Sequence, residues 1–217
     1  MSLTFYYLSG SPFSWKVWMA LEHASLDYEA RRLRVDSGDL QTAEFRTLNP
    51  KGKLPVLVDG PLVLGESDAI VEYLADRPAP SGAALWPAFA AERALGRRFA
   101  AAATNYVYPG VRRIMEQTLF LSGGKPDLDV IGTARTQLSA DLRLLEGWLQ
   151  GDFASGSAPT IADFTLYPFV ALLERIDAQR PGHFAAAVIP GRIAAWARRI
   201  EALPWFGRTI PPHWQGQ

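Results

Sequence analysis

The sequence changes character at residues 77–82, and this change limits the folds that the chain can adopt. Before this point, apolar or aromatic runs alternate with helical patterns in the predicted order β-α-β-α-β-β-α. The stretch itself, Arg77-Pro78-Ala79-Pro80-Ser81-Gly82, is rich in residues that interrupt regular structure. Every periodic segment after it has helical spacing. We therefore expect an α/β domain over 1–78 and an all-helical domain over 88–217, with a linker over 79–87.

The composition narrows the function mainly by what it excludes. Lysine and arginine total 22 and aspartate and glutamate total 22, so no charge excess indicates binding to nucleic acid or to an anionic membrane. The absence of a long apolar run and of a cationic leader predicts a soluble, cytoplasmic protein. The 217 residues include no cysteine, so any sulfur chemistry must come from a ligand. The three histidines, His23, His183 and His213, lack the spacing of a metal site, and no metal is expected.

The chain begins with a predicted strand that turns directly into a helix. Residues 3–8 are apolar and aromatic and end before Gly10, and apolar residues from Val17 onward recur at helical spacing. Pro12 suits the first helical position, and Ser11 suits the N-cap before it. The N-terminus of a helix carries unpaired N–H groups and a partial positive charge, which favour an anion. The Ser11 hydroxyl could therefore cap the helix or donate a hydrogen bond to a negatively charged ligand.

Two more segments of the first domain have a recognisable local chemistry. Apolar runs on either side of Asp59-Gly60 predict a β-hairpin. Pro55 lies at the head of the first run and is a candidate for a cis peptide bond. Residues 66–68 then begin a helix that has acidic residues in its first turn.

The second domain is predicted to contain one long, interrupted helix and three further helices. The long segment covers 89–121, with a kink expected at Tyr108-Pro109-Gly110, and the others cover 126–150, a stretch opening at Thr160, and 190–203. Thr160 and Asp163 form an acidic variant of the capping box. The tail from Pro204 holds three prolines and two tryptophans, and we expect it to pack as an irregular strap.

Four motifs in this order resemble those of the cytosolic glutathione transferases. Ser11-Pro12-Phe13 with Trp15-Lys16-Val17 resembles the catalytic-serine loop of the tau and zeta classes, and Lys53-Leu54-Pro55-Val56-Leu57 resembles the cis-proline segment. Glu66-Ser67-Asp68-Ala69-Ile70 is similar to the Glu-Ser signature, and Thr160-Ile161-Ala162-Asp163 to the capping motif of the core helix in the second domain. The resemblance extends over nearly the whole chain. It implies a thioredoxin-like N-terminal domain followed by an all-helical C-terminal domain.

The resemblance implies that Ser11 is catalytic and that glutathione is the co-substrate. A free thiol has a pKa of about 8.5, and a hydroxyl that donates to sulfur at a helix N-terminus favours the thiolate. Ser9 and Ser14 remain alternatives, because the end of the strand could shift by a residue or more. Tyr6 and Tyr7 rank lower, because both precede the loop and at least one is expected in the core.

Five residues are assigned to glutathione binding by the same resemblance: Gln41, Lys53, Leu54, Glu66 and Ser67. Ser67 and the nearby N–H groups would take the γ-glutamyl carboxylate, and Glu66 would take its ammonium group. The backbone of Leu54 would pair with the cysteinyl segment as an added strand. Lys53 would pair with the glycyl carboxylate, assisted by Gln41 where relatives often carry a basic residue. Helix capping or a solvent-exposed surface position is the alternative for these side chains.

The second substrate, a hydrophobic electrophile, is expected to lie between the domains. The candidates for this pocket are Phe13, Tyr106, Tyr108, Arg112 and Arg113. They would form an apolar pocket with a basic edge. Aromatic residues at helical spacing can equally belong to the core, so a structural role is the alternative.

The leading functional hypothesis is a serine-type glutathione S-transferase, a homodimer that conjugates glutathione to an electrophile in detoxification. One alternative is glutathione-dependent isomerisation, as in maleylacetoacetate isomerases, or removal of a halide. Pro12-Phe13 stands where the zeta class usually carries Ser-Cys, which weakens the isomerase hypothesis. Another alternative is a transferase-like module that binds glutathione without catalysis. Thiol transfer by a protein cysteine is excluded, because the chain has no cysteine.

Overall fold

The structure, a computed structural model, describes residues 3–182 and 185–214. His183, one of the three histidines, lies outside the described residues. The described chain divides into two compact units: the first comprises 3–86 with 204–214, and the second comprises 87–182 with 185–203.

The C-terminal segment 204–214 groups with the first unit, whereas the sequence prediction assigned all of 88–217 to the helical domain. The segment forms two short 3-10 turns, Phe206–Thr209 and Pro212–Trp214, which agrees with the irregular strap that was expected. It packs against the first helix of the chain, where the indole of Trp15 donates to the Thr209 hydroxyl at 3.1 Å. Because it packs against this helix, the segment belongs to the first unit and not to the helical unit.

The first unit has the predicted element order and a four-stranded mixed sheet. Its elements are β1 (Leu3–Leu8), α1 (Pro12–His23), β2 (Tyr28–Leu33), α2 (Ala43–Leu48), β3 (Val56–Asp59), β4 (Leu62–Leu64) and α3 (Ser67–Ala75). The strand order is β2-β1-β3-β4. β1 pairs in parallel with β2 and antiparallel with β3, which pairs antiparallel with β4. This is the thioredoxin-like topology, and it confirms the predicted fold of the N-terminal domain.

The core of the first unit anchors both sides of the turn between β1 and α1. Leu3, Phe5 and Tyr7 are buried and alternate with partly exposed neighbours, as in a strand that covers a core with one face. The ring of Tyr7 packs against Trp18 of α1, with ring centroids 4.9 Å apart. Val17 of α1 is fully buried as well. Each such side chain stabilises the fold by about 1.5–3 kcal/mol, so the turn is held between two well-packed elements.

The second unit is helical, as predicted. Its helices are α4 (Ala90–Ala102), α5 (Tyr108–Gln117), α6 (Leu128–Trp148), α7 (Ile161–Gln179) and α8 (Gly191–Glu201). A π-helical segment, Ala103–Val107, lies directly before the expected kink at Tyr108-Pro109-Gly110. Pro109 lacks an N–H group, and in a regular helix its ring would collide with the carbonyl four residues earlier. The wider π-helical turn accommodates the proline there.

The helix α5 ends earlier than the sequence predicted. The pattern extended to residue 121, whereas α5 ends at Gln117 and its C-cap, Thr118, has φ −127°. The Thr118 hydroxyl donates to the carbonyl of Ile114 at 2.6 Å, and so satisfies one acceptor of the last turn. This local hydrogen bond competes with continuation of the helix.

The buried carboxylate of Asp163 fixes the start of α7. It accepts from the backbone N–H groups of Thr160 at 2.8 Å and Ala154 at 2.7 Å, and from the indole of Trp196 at 2.7 Å. Burial raises the pKa of Asp163, and these hydrogen bonds oppose that effect. The bond to Thr160 confirms the capping interaction that the sequence predicted.

None of the described helices is both long enough and apolar enough to cross a bilayer.

Candidate functional site

Ser11 occupies the N-cap of α1, as predicted. Its backbone is extended, with φ −71° and ψ 123°, and its oxygen accepts from the N–H of Ser14 at 3.4 Å. The N–H of Trp15 donates to the Ser11 carbonyl at 2.9 Å. The cap uses a lone pair of the hydroxyl oxygen, so the hydroxyl hydrogen remains for a second partner. Capping and donation to a ligand are therefore compatible in this geometry.

The two alternative serines have different surroundings. Ser14 is 1% exposed, and its oxygen accepts from the N–H of Leu8 at 3.2 Å beneath the loop. Ser9 is partly exposed, and its oxygen lies 2.8 Å from Nδ1 of His213 in the C-terminal segment. Ser11 is also partly exposed, at the N-cap of α1.

The two tyrosines of β1 point to opposite faces of the sheet. Tyr7 is buried in the core, and burial raises its pKa, which disfavours a phenolate there. The hydroxyl of Tyr6 accepts from Arg31 of β2 at 3.2 Å. Tyr6 also packs beside Phe45 of α2, on the face opposite to Tyr7.

The bond between Leu54 and Pro55 is cis, as expected for this segment. Leu54 is partly exposed and lies just before β3. Among the described residues, its N–H and carbonyl groups make no hydrogen bond to another backbone group. Both groups are therefore available to an extended peptide that pairs with this segment. The side chain of Lys53 is exposed, and its carbonyl accepts from Asn49 at 2.8 Å.

Glu66 and Ser67 form the start of α3. Glu66 is its N-cap and has φ 59°, a left-handed conformation that is unusual for a residue with a Cβ atom. Such a conformation costs about 1–3 kcal/mol and is often found at ligand-binding positions. Ser67 is 6% exposed, and its hydroxyl has no hydrogen-bond partner within the described part of the chain. This helix start therefore offers N–H groups, a hydroxyl and a carboxylate within two residues.

Arg46 is a residue of this region that the sequence analysis missed. Its guanidinium donates to the side-chain oxygen of Gln41 at 2.5 Å and to the carbonyl of Pro50 at 2.8 Å. Gln41 thereby keeps its amide N–H groups free to donate to a carboxylate. The guanidinium also covers Gly52, where a Cβ atom would lie 2.6 Å from Cζ of Arg46. No local pattern identifies Arg46, because its partners come from both sides of α2.

Two candidates for the electrophile pocket lie on one side of α5. The ring of Tyr108 packs against Phe169 of α7, with centroids 5.2 Å apart. Burial raises the pKa of Tyr108, and the charge of Arg112 opposes that rise. Arg112 is exposed and pairs with Glu116 at 2.7 Å.

The other candidates have separate surroundings. Tyr106 is 52% exposed on the π-helical segment. Arg113 lines an open cavity of about 300 Å³ against α6, together with Asp129, Val130 and Thr133. Phe13 belongs to the first unit, where its ring centroid lies 5.9 Å from the ammonium of Lys16. Arg112 and Arg113 thus have different neighbours, although they are adjacent in sequence.

Comparison with known proteins identifies the family of the chain. The family profile described as "Glutathione S-transferase, N-terminal domain" matches residues 10–77. Glutathione S-transferase 3 of Zea mays is 31% identical over 211 residues, which cover 96% of this chain and 93% of that protein. The chain belongs to the glutathione S-transferase family. This confirms the resemblance that the four motifs indicated.

Other members of the glutathione S-transferase family are similarly related. A probable maleylacetoacetate isomerase of Vibrio cholerae is 31% identical over 217 residues, covering 97% of this chain and 96% of that protein. The theta class glutathione S-transferase of Xanthomonas axonopodis pv. citri, solved with glutathione bound, superposes with a TM-score of 0.80 and 28% identity. That alignment covers 96% of this chain and 97% of the solved chain. Proteins named as a transferase and as a probable isomerase are thus both similar to this chain over nearly its whole length. The reaction therefore has to be inferred from the site residues, and not from the fold.

Proposed function

We propose that this chain is a glutathione S-transferase in which Ser11 stabilises the thiolate of glutathione. The observation that carries the proposal is the cap geometry, in which the Ser11 oxygen accepts from Ser14 at 3.4 Å and its hydrogen remains to donate. A hydrogen bond to sulfur and the positive end of α1 both favour the charged form of the thiol. The buried hydroxyl of Ser14 and the engagement of Ser9 with His213 favour Ser11 among the three serines.

The proposed grip on the tripeptide uses the start of α3 and the Leu54-Pro55 segment before β3. The γ-glutamyl carboxylate accepts from the Ser67 hydroxyl and the first N–H groups of α3, and Glu66 takes the ammonium group. The backbone of Leu54 pairs with the cysteinyl segment. Lys53 and the amide of Gln41, which Arg46 orients, take the glycyl carboxylate. The unusual φ of Glu66 supports this assignment, as does the Ser67 hydroxyl, which has no hydrogen-bond partner among residues 3–182 and 185–214.

The proposed reaction is displacement or conjugate addition at an electrophilic carbon. The proton of the thiol passes to solvent, and the sulfur forms a bond to carbon. In displacement a leaving group departs with its electron pair. In conjugate addition no group leaves: the electron pair of the carbon–carbon π bond moves to the acceptor group, which then takes a proton from solvent. The chain contributes positioning and stabilisation of the thiolate. The electrophile is proposed to contact Phe13 and some of Tyr106, Tyr108, Arg112 and Arg113, whose aromatic and basic side chains suit an apolar substrate with an acceptor group. We also propose that the protein is cytoplasmic and that it forms a homodimer, the assembly that the resemblance implies.

The test compares wild type with Ser11→Ala, Ser9→Ala and Ser14→Ala in glutathione binding and in turnover of a nitro-aryl halide. Loss of one preorganised donor to a developing or stored negative charge lowers kcat by about 100-fold. We expect this loss in Ser11→Ala, with a dissociation constant for glutathione within about threefold of wild type, because the grip at α3 is intact. Unchanged turnover in Ser11→Ala would show that another group stabilises the thiolate.

A second candidate function is glutathione-dependent isomerisation. The similarity to the probable maleylacetoacetate isomerase of Vibrio cholerae favours it. The Pro12-Phe13 pair opposes it, because the zeta class usually carries Ser-Cys there. Isomerisation of a cis-alkenyl diketo acid, followed by its ultraviolet absorbance, separates the two functions. Tight glutathione binding with turnover of neither substrate would identify a non-catalytic module.

A further inference from the structure

The C-terminal segment 204–214 reaches the loop that carries Ser11. Nδ1 of His213 lies 2.8 Å from the side-chain oxygen of Ser9. Ser9 precedes Ser11 by two residues. The ring of Trp214, next to His213, meets Trp15 of α1 edge to face, with centroids 5.1 Å apart. These contacts lie within the first unit. The segment therefore touches both the loop and the helix that follows it.

The neighbouring indole determines which nitrogen of His213 carries the proton. The Trp214 indole has an N–H group and no acceptor, and it donates to Nε2 of His213 at 3.0 Å. Nε2 must therefore present a lone pair, and a neutral imidazole then carries its hydrogen on Nδ1. It follows that Nδ1–H donates to the Ser9 oxygen. The hydroxyl hydrogen of Ser9 is left to donate elsewhere.

The backbone of the loop is shaped to admit this imidazole. Gly10 has φ 83°, in the left-handed region that favours glycine. A Cβ atom at Gly10 would lie 2.8 Å from Cε1 and 3.1 Å from Nε2 of His213. The ring thus lies directly on the backbone between Ser9 and Ser11. A hydrogen bond and a close packing contact both join His213 to this loop.

We propose that His213 is a positioning residue that holds the Ser9-Gly10-Ser11 loop in the conformation that stabilises the thiolate. The inference rests on the proposed function and extends it, because it assigns a role in the site to the C-terminal segment. The Ser11 N–H donates to the Leu8 carbonyl at 3.1 Å, so a shift of the loop moves the Ser11 hydroxyl with its backbone. The start of α3 lies on another element, so the grip on the γ-glutamyl group does not depend on His213.

The variants His213→Leu and His213→Asn separate the hydrogen bond from the bulk of the ring. The side-chain amide of asparagine would place an N–H donor where Nδ1 of the histidine lies, whereas leucine fills space without donating. Arg208→Ala is the matched control, since it removes the ion pair of the same segment with Glu22 at 2.6 Å and leaves the loop contact intact. The melting temperature of each variant reports any general loosening.

Three measurements test the role: the ultraviolet absorbance of bound thiolate against pH, kcat and KM for glutathione, and hydrogen exchange of the backbone amides of residues 9–11, 13 and 14. A hydrogen bond worth about 1 kcal/mol corresponds to a factor of about five. We expect His213→Leu to raise the pKa of the bound thiol, to lower kcat about fivefold with KM for glutathione within about twofold, and to speed loop exchange. His213→Asn should recover most of each effect, and Arg208→Ala should resemble wild type.

Unchanged thiolate absorbance, kcat and loop exchange in His213→Leu would overturn the proposal, as would a His213→Asn variant that is as impaired as His213→Leu. The proposed function fails separately if the wild type shows neither bound thiolate nor turnover. In that case loop exchange alone decides the role of His213. Faster exchange in His213→Leu with recovery in His213→Asn supports it, and unchanged exchange overturns it.

Discussion

The ammonium of Lys16 lies 2.7 Å from a carboxylate oxygen of Asp68, although the Lys16 side chain is 1% exposed and that of Asp68 is 67% exposed. The pair joins α1, whose N-cap is Ser11, to the first turn of α3, which begins at Ser67. Burial lowers the pKa of Lys16, and the charge of Asp68 opposes that effect. The two helix starts assigned to thiolate stabilisation and to the γ-glutamyl group are therefore linked by one charge pair.

Asp68→Asn should destabilise the protein, because it leaves the Lys16 ammonium buried without its carboxylate. Loss of one partner of a fully buried pair costs about 3–5 kcal/mol. Asp68 is mostly exposed and screened by solvent, so we expect about 1–2 kcal/mol here. Lys16→Met keeps the apolar stem and removes the buried charge, so it should have little effect. Urea unfolding measures both variants.

The double variant Lys16→Met/Asp68→Asn is the control for this pair. With no ammonium to leave unpaired, the added Asp68→Asn change should cost much less than it does in the wild-type background. Equal costs in the two backgrounds would show that Asp68 acts through some other contact, such as capping of α3.

Features that depend on neighbouring residues were predictable from the sequence. The cap at Ser11, the cis bond before Pro55, the β3–β4 hairpin and the Asp163 cap each involve residues a few positions apart. The hairpin turn lies at residues 60–61, one position later than the Asp59-Gly60 pair, because Asp59 pairs with Leu62. Their geometry follows from the chemistry of proline, glycine and short polar side chains. The element order of the first unit follows from the same local patterns, and so was predicted in full.

Contacts between distant parts of the chain were not predictable in this way. Ser9 and His213 are 204 positions apart, and the prolines of the tail indicated only that it is not helical. The burial of Lys16 depends on the position of α3 against α1. A solvent-exposed lysine and a buried one cannot be told apart in a sequence pattern. Where the apolar and polar faces of an amphipathic helix meet, a lysine can lie on either side, because its stem is apolar and its head is charged.

Acid should destabilise the protein partly through His23. Burial lowers the pKa of its imidazole below the ordinary value of 6.5, and the ring packs against Trp205 of the C-terminal segment. A group whose pKa is lower in the folded state resists protonation there. Its contribution is complete above pH 6.5 and is lost as the pH falls through the lowered pKa. The unfolding free energy of His23→Gln should therefore fall less than that of wild type between pH 7 and pH 5.

The comparison uses urea unfolding of both proteins at each pH, so that titration of the carboxylates common to both cancels. Parallel pH profiles for wild type and His23→Gln would contradict the prediction. A difference between the two unfolding free energies that changes only above pH 6.5 would also contradict the prediction. The pKa of His23 is lowered on folding, so its effect must appear below pH 6.5.

Gly110→Ala should destabilise the second unit, because α5 and α6 approach closely at this glycine. A Cβ atom there would lie 2.6 Å from Cγ of Leu138, whose side chain is fully buried. Inserting a methyl group into such packing costs about 1–3 kcal/mol. Gly132→Ala on α6 is the control, since its Cβ atom would meet no neighbour within 4 Å. The control should be stabilised by about 0.5–1 kcal/mol, as measured by urea unfolding. Similar effects of the two substitutions would contradict the close approach of these helices.

Gly10→Ala should be more costly than the same change at another left-handed glycine. Gly10 and Gly38 have φ 83° and 77°, so alanine is strained at both by about 1 kcal/mol. Only the Cβ atom at Gly10 would meet a side chain, since that at Gly38 has nothing within 4 Å. The excess cost of Gly10→Ala over Gly38→Ala, measured by urea unfolding, should therefore come from His213. In the His213→Ala background the two costs should become equal, whereas a persistent excess would show that the loop backbone itself resists alanine. Because the loop also carries Ser11, Gly10→Ala should lower kcat as well, while Gly38→Ala leaves kcat unchanged.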